Sequence, residues 1–160
     1  NIKKMKKNFY IFLLLLFLSS CGYDALYSIK NKDNYDFSIS DLNFIGDRDI
    51  NIKIREKLNN YTLNKKEKNF TLNISSNSEK IITSKNITGD ATSFQNIITL
   101  NIKVSMNDGF ENSFIVLEKF NYNNVTNKFD LKIYEREIKN NLTETASNKL
   151  IFKLSNIQWF

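Results

Sequence analysis

The chain contains no histidine, a single cysteine and only four glycines among its 160 residues. Without histidine there is no histidine base, no histidine metal ligand and no serine–histidine catalytic pair. The glycines are dispersed, so no glycine-rich phosphate-binding loop is present. The carboxylates near the C-terminus lie among lysines and an arginine, as on a solvated helix face; they are Asp130, Glu135, Glu137 and Glu144. The composition therefore predicts a protein that is not an enzyme and has no metal or cofactor.

The single cysteine, Cys21, follows a segment that is typical of a secretory signal peptide. Four lysines precede an apolar block from Phe9 to Leu18, which is shorter than the roughly 20 residues that span a bilayer. Ser19 and Ser20 supply the small side chains that a signal peptidase requires beside the cleaved bond. We therefore expect residues 1–20 to be a lipoprotein signal peptide and Cys21 to be acylated through a thioether. The alternative is a buried free cysteine after a hydrophobic helix.

Cleavage before Cys21 would remove most of the excess positive charge. The whole chain carries +6, but four of its lysines and none of its acids lie in residues 1–20, which leaves +2 on the remainder. No extended basic patch with interleaved aromatic residues is present, so nucleic acid is not expected as a partner. An acylated Cys21 leaves no thiol for a disulfide within the chain. Gly22 stands where Asp tends to retain lipoproteins in the inner membrane, and this favours the outer membrane.

The patterning after Cys21 predicts a lipidated tether over residues 21–36 and one α+β domain over residues 37–160. The expected element order is β-α-β-β-β-α, with two helices packed on a mostly antiparallel sheet of four strands. A first strand is indicated by Phe37, Ile39, Leu42 and Phe44, although the spacing is not regular. Asp47 is a plausible N-cap of the first helix. Apolar residues on one face of that helix recur at every third or fourth position: Ile50, Ile54, Leu58 and Tyr61.

Three further strands read as an antiparallel meander. Phe70, Leu72 and Ile74 alternate with polar residues, and Ile81 and Ile82 extend this strand. The next strand has the clearest alternation in the chain, with Phe94, Ile98, Leu100, Ile102, Val104 and Met106 on one face. Asn107, Asp108 and Gly109 then form a hairpin signal. The returning segment, Phe114 to Tyr122, has apolar residues on both faces, which predicts a central strand.

The last helix is expected to begin near Asn127, which can cap it. Apolar residues cover nearly the full circumference of its final turns, so these turns are expected to be buried or to contact a partner. Trp159 and Phe160 follow it, and either a core contact or an interface would cover them. We also expect the first helix, through Ile54 and Leu58, to pack on the sheet face that carries Ile98, Leu100 and Ile102. The opposite face, with Thr99, Asn101 and Lys103, is polar.

Three segments of the chain carry a resemblance to a known family. Cys21-Gly22-Tyr23 with Leu26-Tyr27 resembles the mature start of its alphaproteobacterial members, although Ala25 replaces their proline. Thr88-Gly89-Asp90-Ala91, leading through Phe94, is similar to the family's turn and third strand, and the segment Lys149 to Leu154 is similar to its closing helix. On these segments and their order, the chain resembles the lipopolysaccharide-assembly lipoprotein family, LptE, over essentially its whole mature length.

The resemblance implies a two-helix, four-stranded sandwich that plugs the outer-membrane β-barrel LptD, helps to assemble it and binds lipopolysaccharide. A contact with this glycolipid needs cations for its phosphate or carboxylate groups. The candidates are Lys80, Lys85, Lys128 and Lys132, and the alternative for each is an ordinary solvated lysine.

Two other classes of protein remain open. One is the auxiliary lipoprotein of an ABC-type lipid transport system, which also has a helix-on-sheet domain and the same kind of anchor. The other is a surface or periplasmic enzyme, which would require a concave site with a strongly perturbed carboxylate.

Overall fold

The computed structural model describes residues 35–158. Residues 1–20, Cys21, most of the expected tether, Trp159 and Phe160 lie outside this range. The predicted α+β order is confirmed. The elements are β1 (Ser38–Gly46), α1 (Arg48–Leu58), a 3₁₀ turn (Asn59–Tyr61), β2 (Asn69–Lys85), β3 (Ala91–Ser105), β4 (Glu111–Asn123) and α2 (Lys128–Ser155).

The four strands form one mixed sheet in the order β1-β2-β3-β4. β1 runs parallel to β2, since α1 carries the chain back between them, whereas β2, β3 and β4 form the expected antiparallel meander. Within the part of the chain that the structure describes, β4 is therefore an edge strand, and the prediction of a central strand is wrong. Its alternate residues Val116 and Tyr122 are buried, but Ile115 and Leu117 on the opposite face are more than half exposed.

Both helices cover the same face of the sheet. Ile54 and Leu58 of α1 are fully buried in one core with Ile98, Leu100 and Ile102, which confirms the predicted core face. The last turns of α2 add Leu150, Ile151 and Leu154 to this core, while Phe152 on the other side of the helix is exposed. Tyr61 lies beyond the α-helix, in the 3₁₀ turn, where its ring stacks on that of Phe37 at 4.8 Å between centroids.

The uneven spacing of apolar residues in β1 has a local cause. A β-bulge separates Ile39 from Asp41, so Ser40 is the extra residue of the strand. Its hydroxyl donates to the backbone oxygen of Phe70. After the bulge, Leu42 and Phe44 return to the side that faces the helices and pack against the core.

The tertiary contacts give the domain two distinct ends. At the tether end lie Tyr35, the loop after α1 and the end of α2, because Lys66 Nζ donates to the backbone oxygen of Tyr35 and Lys68 Nζ donates to that of Ile157. At the hairpin end, β2 and β3 continue beyond β1, which pairs with β2 only as far as Ser76. The expected tether therefore joins the domain at the end opposite the β2–β3 hairpin.

Candidate functional site

The tip of the β2–β3 hairpin is shaped by its own hydrogen bonds. Asn86 Oδ1 accepts from the backbone N–H groups of Thr88 and Asp90, and the Thr88 hydroxyl lies 2.7 Å from Asp90 Oδ2. Hydrogen bonds from the Thr88 and Asn86 side chains lower the pKa of Asp90. Ile87 at the tip is fully exposed. The hairpin end thus presents an ordered turn with an apolar side chain directed into solvent.

Below the hairpin, a polar cluster connects α2 to three strands. The Tyr122 hydroxyl donates to Glu135 Oε1 at 2.9 Å and lies 3.2 Å from Asn96 Oδ1. Lys80 Nζ pairs with the same Glu135 oxygen and lies 3.9 Å from the centre of the Phe94 ring. Burial, together with the hydrogen bond to Glu135 and its charge, raises the pKa of Tyr122. The cluster fixes the first turns of α2 over the sheet, and it holds the Lys80 ammonium in place.

The four lysines predicted to contact lipopolysaccharide all lie towards the hairpin end. Lys85 is the last residue of β2, Lys128 is the first of α2, and Lys132 follows one turn later; all three are exposed. Within residues 35–158, none of these three forms a salt bridge. Lys80 differs, because its charge is neutralised by Glu135. The structure therefore leaves three of the four candidates available to an anionic ligand.

The face of the sheet away from the helices carries mainly uncharged polar residues, with charges at Glu79, Lys103, Glu111 and Lys119, and has no covering element among the described residues. Its polar residues include Asn73, Ser75, Asn77, Thr99 and Asn101. Exposed apolar side chains interrupt it at Ile45, Ile81, Ile115 and Leu117. The polar alternation of β3 is visible in the sequence, and so are the apolar residues on both faces of β4. Their exposure at Ile115 and Leu117 was not predicted, because β4 was expected to be a central strand.

A cleft at the tether end of β3 and β4 has a volume of about 620 Å³ and is lined mainly by polar residues. Burial raises the pKa of Asp47, but its hydrogen bonds to Lys139 and to the backbone at the start of α1 outweigh burial and lower it. Hydrogen bonds within the β2–β3 turn lower the pKa of Asp90. No group of three or more potential acidic or cysteine metal ligands occurs within the described residues. Neither α1 nor α2 is long and apolar enough to cross a bilayer.

Bacterial lipoproteins of known structure resemble this architecture. Rare lipoprotein B from Shewanella oneidensis superposes with a TM-score of 0.51 and 15% identity, covering 73% of this chain and 90% of its own. The minor lipoprotein from Acinetobacter baumannii superposes with a TM-score of 0.55 and 8% sequence identity, and the match covers 76% of this chain and 92% of the minor lipoprotein. Lipoprotein B from Nitrosomonas europaea superposes with a TM-score of 0.57 and 12% sequence identity, and the match covers 76% of this chain and 83% of that lipoprotein.

The chain has the fold of these lipoproteins. At such low identities the similarity establishes the architecture, a mixed four-stranded sheet with two helices on one face. No family model matches the chain, and no curated protein matches it in sequence.

Proposed function

We propose that the protein is an outer-membrane lipoprotein, anchored through Cys21, that plugs an LptD-like β-barrel, helps to assemble it and takes part in lipopolysaccharide transport. The observation that carries this proposal is the fold shared with bacterial lipoproteins, in a chain that has a lipoprotein cleavage pattern before its only cysteine. The role is non-enzymatic, and the lowered pKa values of Asp47 and Asp90, which favour the ionised forms, are consistent with structural carboxylates.

The uncovered sheet face suits the inside of a large barrel. A barrel wide enough to pass a glycolipid needs its lumen filled, and such lumens are lined by polar residues. Asn, Ser and Thr side chains can exchange hydrogen bonds with that wall without the cost of burying unpaired charges. Acyl chains on Cys21 would confine the domain to the membrane that holds the barrel and raise its effective concentration there.

The hairpin end suits an anionic glycolipid. Lys85, Lys128 and Lys132 offer ammonium groups for charge-assisted hydrogen bonds to phosphate. Lys80 is expected to contribute less, because an anion would have to compete with Glu135. Since the tether joins the opposite end, these lysines lie away from the point of attachment.

Depletion of the protein tests the barrel assignment. We expect less correctly folded barrel and higher sensitivity to large hydrophobic compounds, and affinity isolation of the tagged mature protein should recover the barrel. Recovery of inner-membrane transport components in its place would favour the auxiliary ABC-type lipoprotein. One Asp or Glu substitution that abolishes function, while the protein stays folded and partner-bound, would favour an enzyme.

The glycolipid assignment has a matched test. Replacing Lys85, Lys128 and Lys132 together by Ala should weaken binding of purified lipopolysaccharide, measured by fluorescence titration, and Lys80→Ala should weaken it less. The control replaces three exposed lysines elsewhere on the domain and outside β4: Lys65, Lys103 and Lys153. Equal losses in the two triple variants would show that only net charge matters and would contradict a site at the hairpin end.

A further inference from the structure

Along the 13 residues of β4, the outer edge pairs with no other strand among residues 35–158. Two hydrogen bonds flank the β3–β4 ladder, from Met106 N to Phe110 O and from Asn124 N to Thr92 O. They show which residue pairs of the ladder are hydrogen-bonded. In an antiparallel ladder, bonded and non-bonded pairs alternate. The even-numbered residues of β4 therefore bond to β3, and the odd-numbered residues from Glu111 to Asn123 turn their N–H and C=O groups away from the sheet.

The same odd-numbered residues carry the exposed apolar side chains of the uncovered face. Ile115 is 59% exposed and Leu117 is 51% exposed. The β3–β4 pairing has no bulge, and the chain has no proline, so two common devices that protect an edge strand are missing. A straight, partly apolar edge of this length is a template for a further strand.

The charges of β4 select both the occupant and its register. Glu118 is paired with Lys149 of α2, whereas Glu111 and Lys119 form no salt bridge within residues 35–158. Antiparallel pairing of β4 with a second β4 in which Ile115 faces Ile115 places Glu111 opposite Lys119 twice. If the two-fold axis lay at Leu117, Ile115 would face Lys119. If it lay at Val116, Ser113 would face Lys119. Neither of these registers places Glu111 opposite Lys119.

We propose that two copies of the free protein pair through the outer edges of β4, antiparallel, with the two Ile115 residues at the two-fold axis. Five residue pairs between Glu111 and Lys119 would then exchange about ten backbone hydrogen bonds. Ile115 and Leu117 of both copies would form one apolar strip on the uncovered face, flanked by the two ion pairs. This pairing does not depend on the proposed function, and it would cover the edge while no other partner is bound.

A membrane anchor on each copy is compatible with this arrangement. The 14 residue steps from Cys21 to Tyr35 reach at most about 50 Å. Two domains whose strands lie along the membrane surface in opposite directions can therefore both remain attached.

Cysteine cross-linking tests the register. Residues facing each other in a bonded antiparallel pair have Cα atoms about 5.5 Å apart, within the range of a disulfide. In the acylated protein in detergent, Ile115→Cys should give a disulfide-linked dimer under mild oxidation. Leu117→Cys should not, because its two copies would be about 14 Å apart along the strands. A mixture of Ser113→Cys and Leu117→Cys should form the mixed dimer, and wild type is the control for Cys21.

Charge exchange tests the affinity by sedimentation velocity. Glu111→Lys and Lys119→Glu should each weaken dimerisation about tenfold, by placing like charges opposite one another. The double variant should restore it, and thermal unfolding should show that all three remain folded. Wild type that is monomeric at about 100 µM, where even micromolar affinity gives mostly dimer, would overturn the proposal. So would cross-linking through Leu117→Cys alone, or a double variant that stays as weak as the single ones.

Discussion

Asp47 combines two local tasks at one position. Its Oδ1 accepts from the backbone N–H groups of Asp49 and Ile50, which confirms the predicted N-cap, and its Oδ2 lies 2.7 Å from Lys139 Nζ of α2. Burial raises the pKa of Asp47, but the hydrogen bond and charge of Lys139 and the two backbone hydrogen bonds lower it by more, so the pKa lies below its ordinary value of 3.8. One carboxylate thus starts α1 and joins it to α2.

This lowered pKa predicts a pH-dependent contribution to stability. Asn retains most capping ability, so Asp47→Asn should lose chiefly the ion pair, about 0.5–1 kcal/mol at neutral pH. Because the folded pKa is depressed, this contribution is present above the unfolded pKa and is lost as the pH falls through the folded value. The difference in unfolding free energy between wild type and variant, measured in denaturant from pH 7 to pH 3, should shrink below about pH 4. A difference that does not vary with pH would contradict this.

Leu58 tests the core at the scale of one side chain. It is fully buried beneath the sheet face that carries Leu100 and Ile102. Leu58→Ala should lower the free energy of unfolding by roughly 2–5 kcal/mol, since it removes buried methyl groups and leaves a cavity. Ile52→Ala on the exposed side of α1 is the matched control. A loss below about 1 kcal/mol for Leu58→Ala would show that α1 is peripheral.

At the scale of elements, the junction from β1 to α1 depends on Gly46. Its φ is +101°, and an added Cβ would lie 1.9 Å from the backbone oxygen of Ser76 in β2. The same oxygen accepts from the backbone N–H of Asp47. Close approach of the two strands at this point therefore requires glycine, and it sets where β1 ends and α1 begins.

Two alanine substitutions separate strain from steric overlap. Gly109 in the β3–β4 turn has a similar φ of +91°, but an added Cβ would meet nothing within 4 Å. Gly109→Ala should therefore cost only the backbone strain, about 1–3 kcal/mol. Gly46→Ala should cost clearly more, because β1 must also move away from Ser76. Equal losses in thermal or denaturant unfolding would show that the β1–β2 contact yields easily.

At the scale of the whole molecule, the candidate lysines Lys85, Lys128 and Lys132 lie at the end of the domain opposite Tyr35. The expected tether would join the domain at Tyr35, whose backbone oxygen accepts from Lys66 at the other end of the sheet. If Cys21 carries a lipid anchor, the anchor holds the chain at the tether end, and the hairpin end remains free to contact other molecules.

Cys21→Ser tests this anchor. We expect an uncleaved or unacylated precursor that takes up no labelled fatty acid, because serine cannot form the thioether. Cys21→Ala should behave in the same way, and wild type should incorporate the label. Mature protein from the serine variant that fractionates with membranes and carries fatty acid would show that the anchor is elsewhere.

The sequence by itself determined the features that depend on neighbouring residues. The helix start at Asp47, the cap at Asn127 and the core stripe of α1 follow from residue type and spacing. The alternation of β3 likewise fixed which of its faces is buried. These signals are local, because hydrogen bonds and side-chain direction within one element set them.

Only the tertiary structure decided which neighbour each element has. The apolar residues on both faces of β4 were compatible with a central strand and also with an edge strand that exposes apolar side chains on one face. In the described residues β4 pairs with β3 and with no other strand, which settles the choice. Lys80 and Lys85 are close in sequence, but only Lys80 meets Glu135, which lies 55 residues away. Such contacts depend on chain segments brought together by folding, and no spacing within one segment records them.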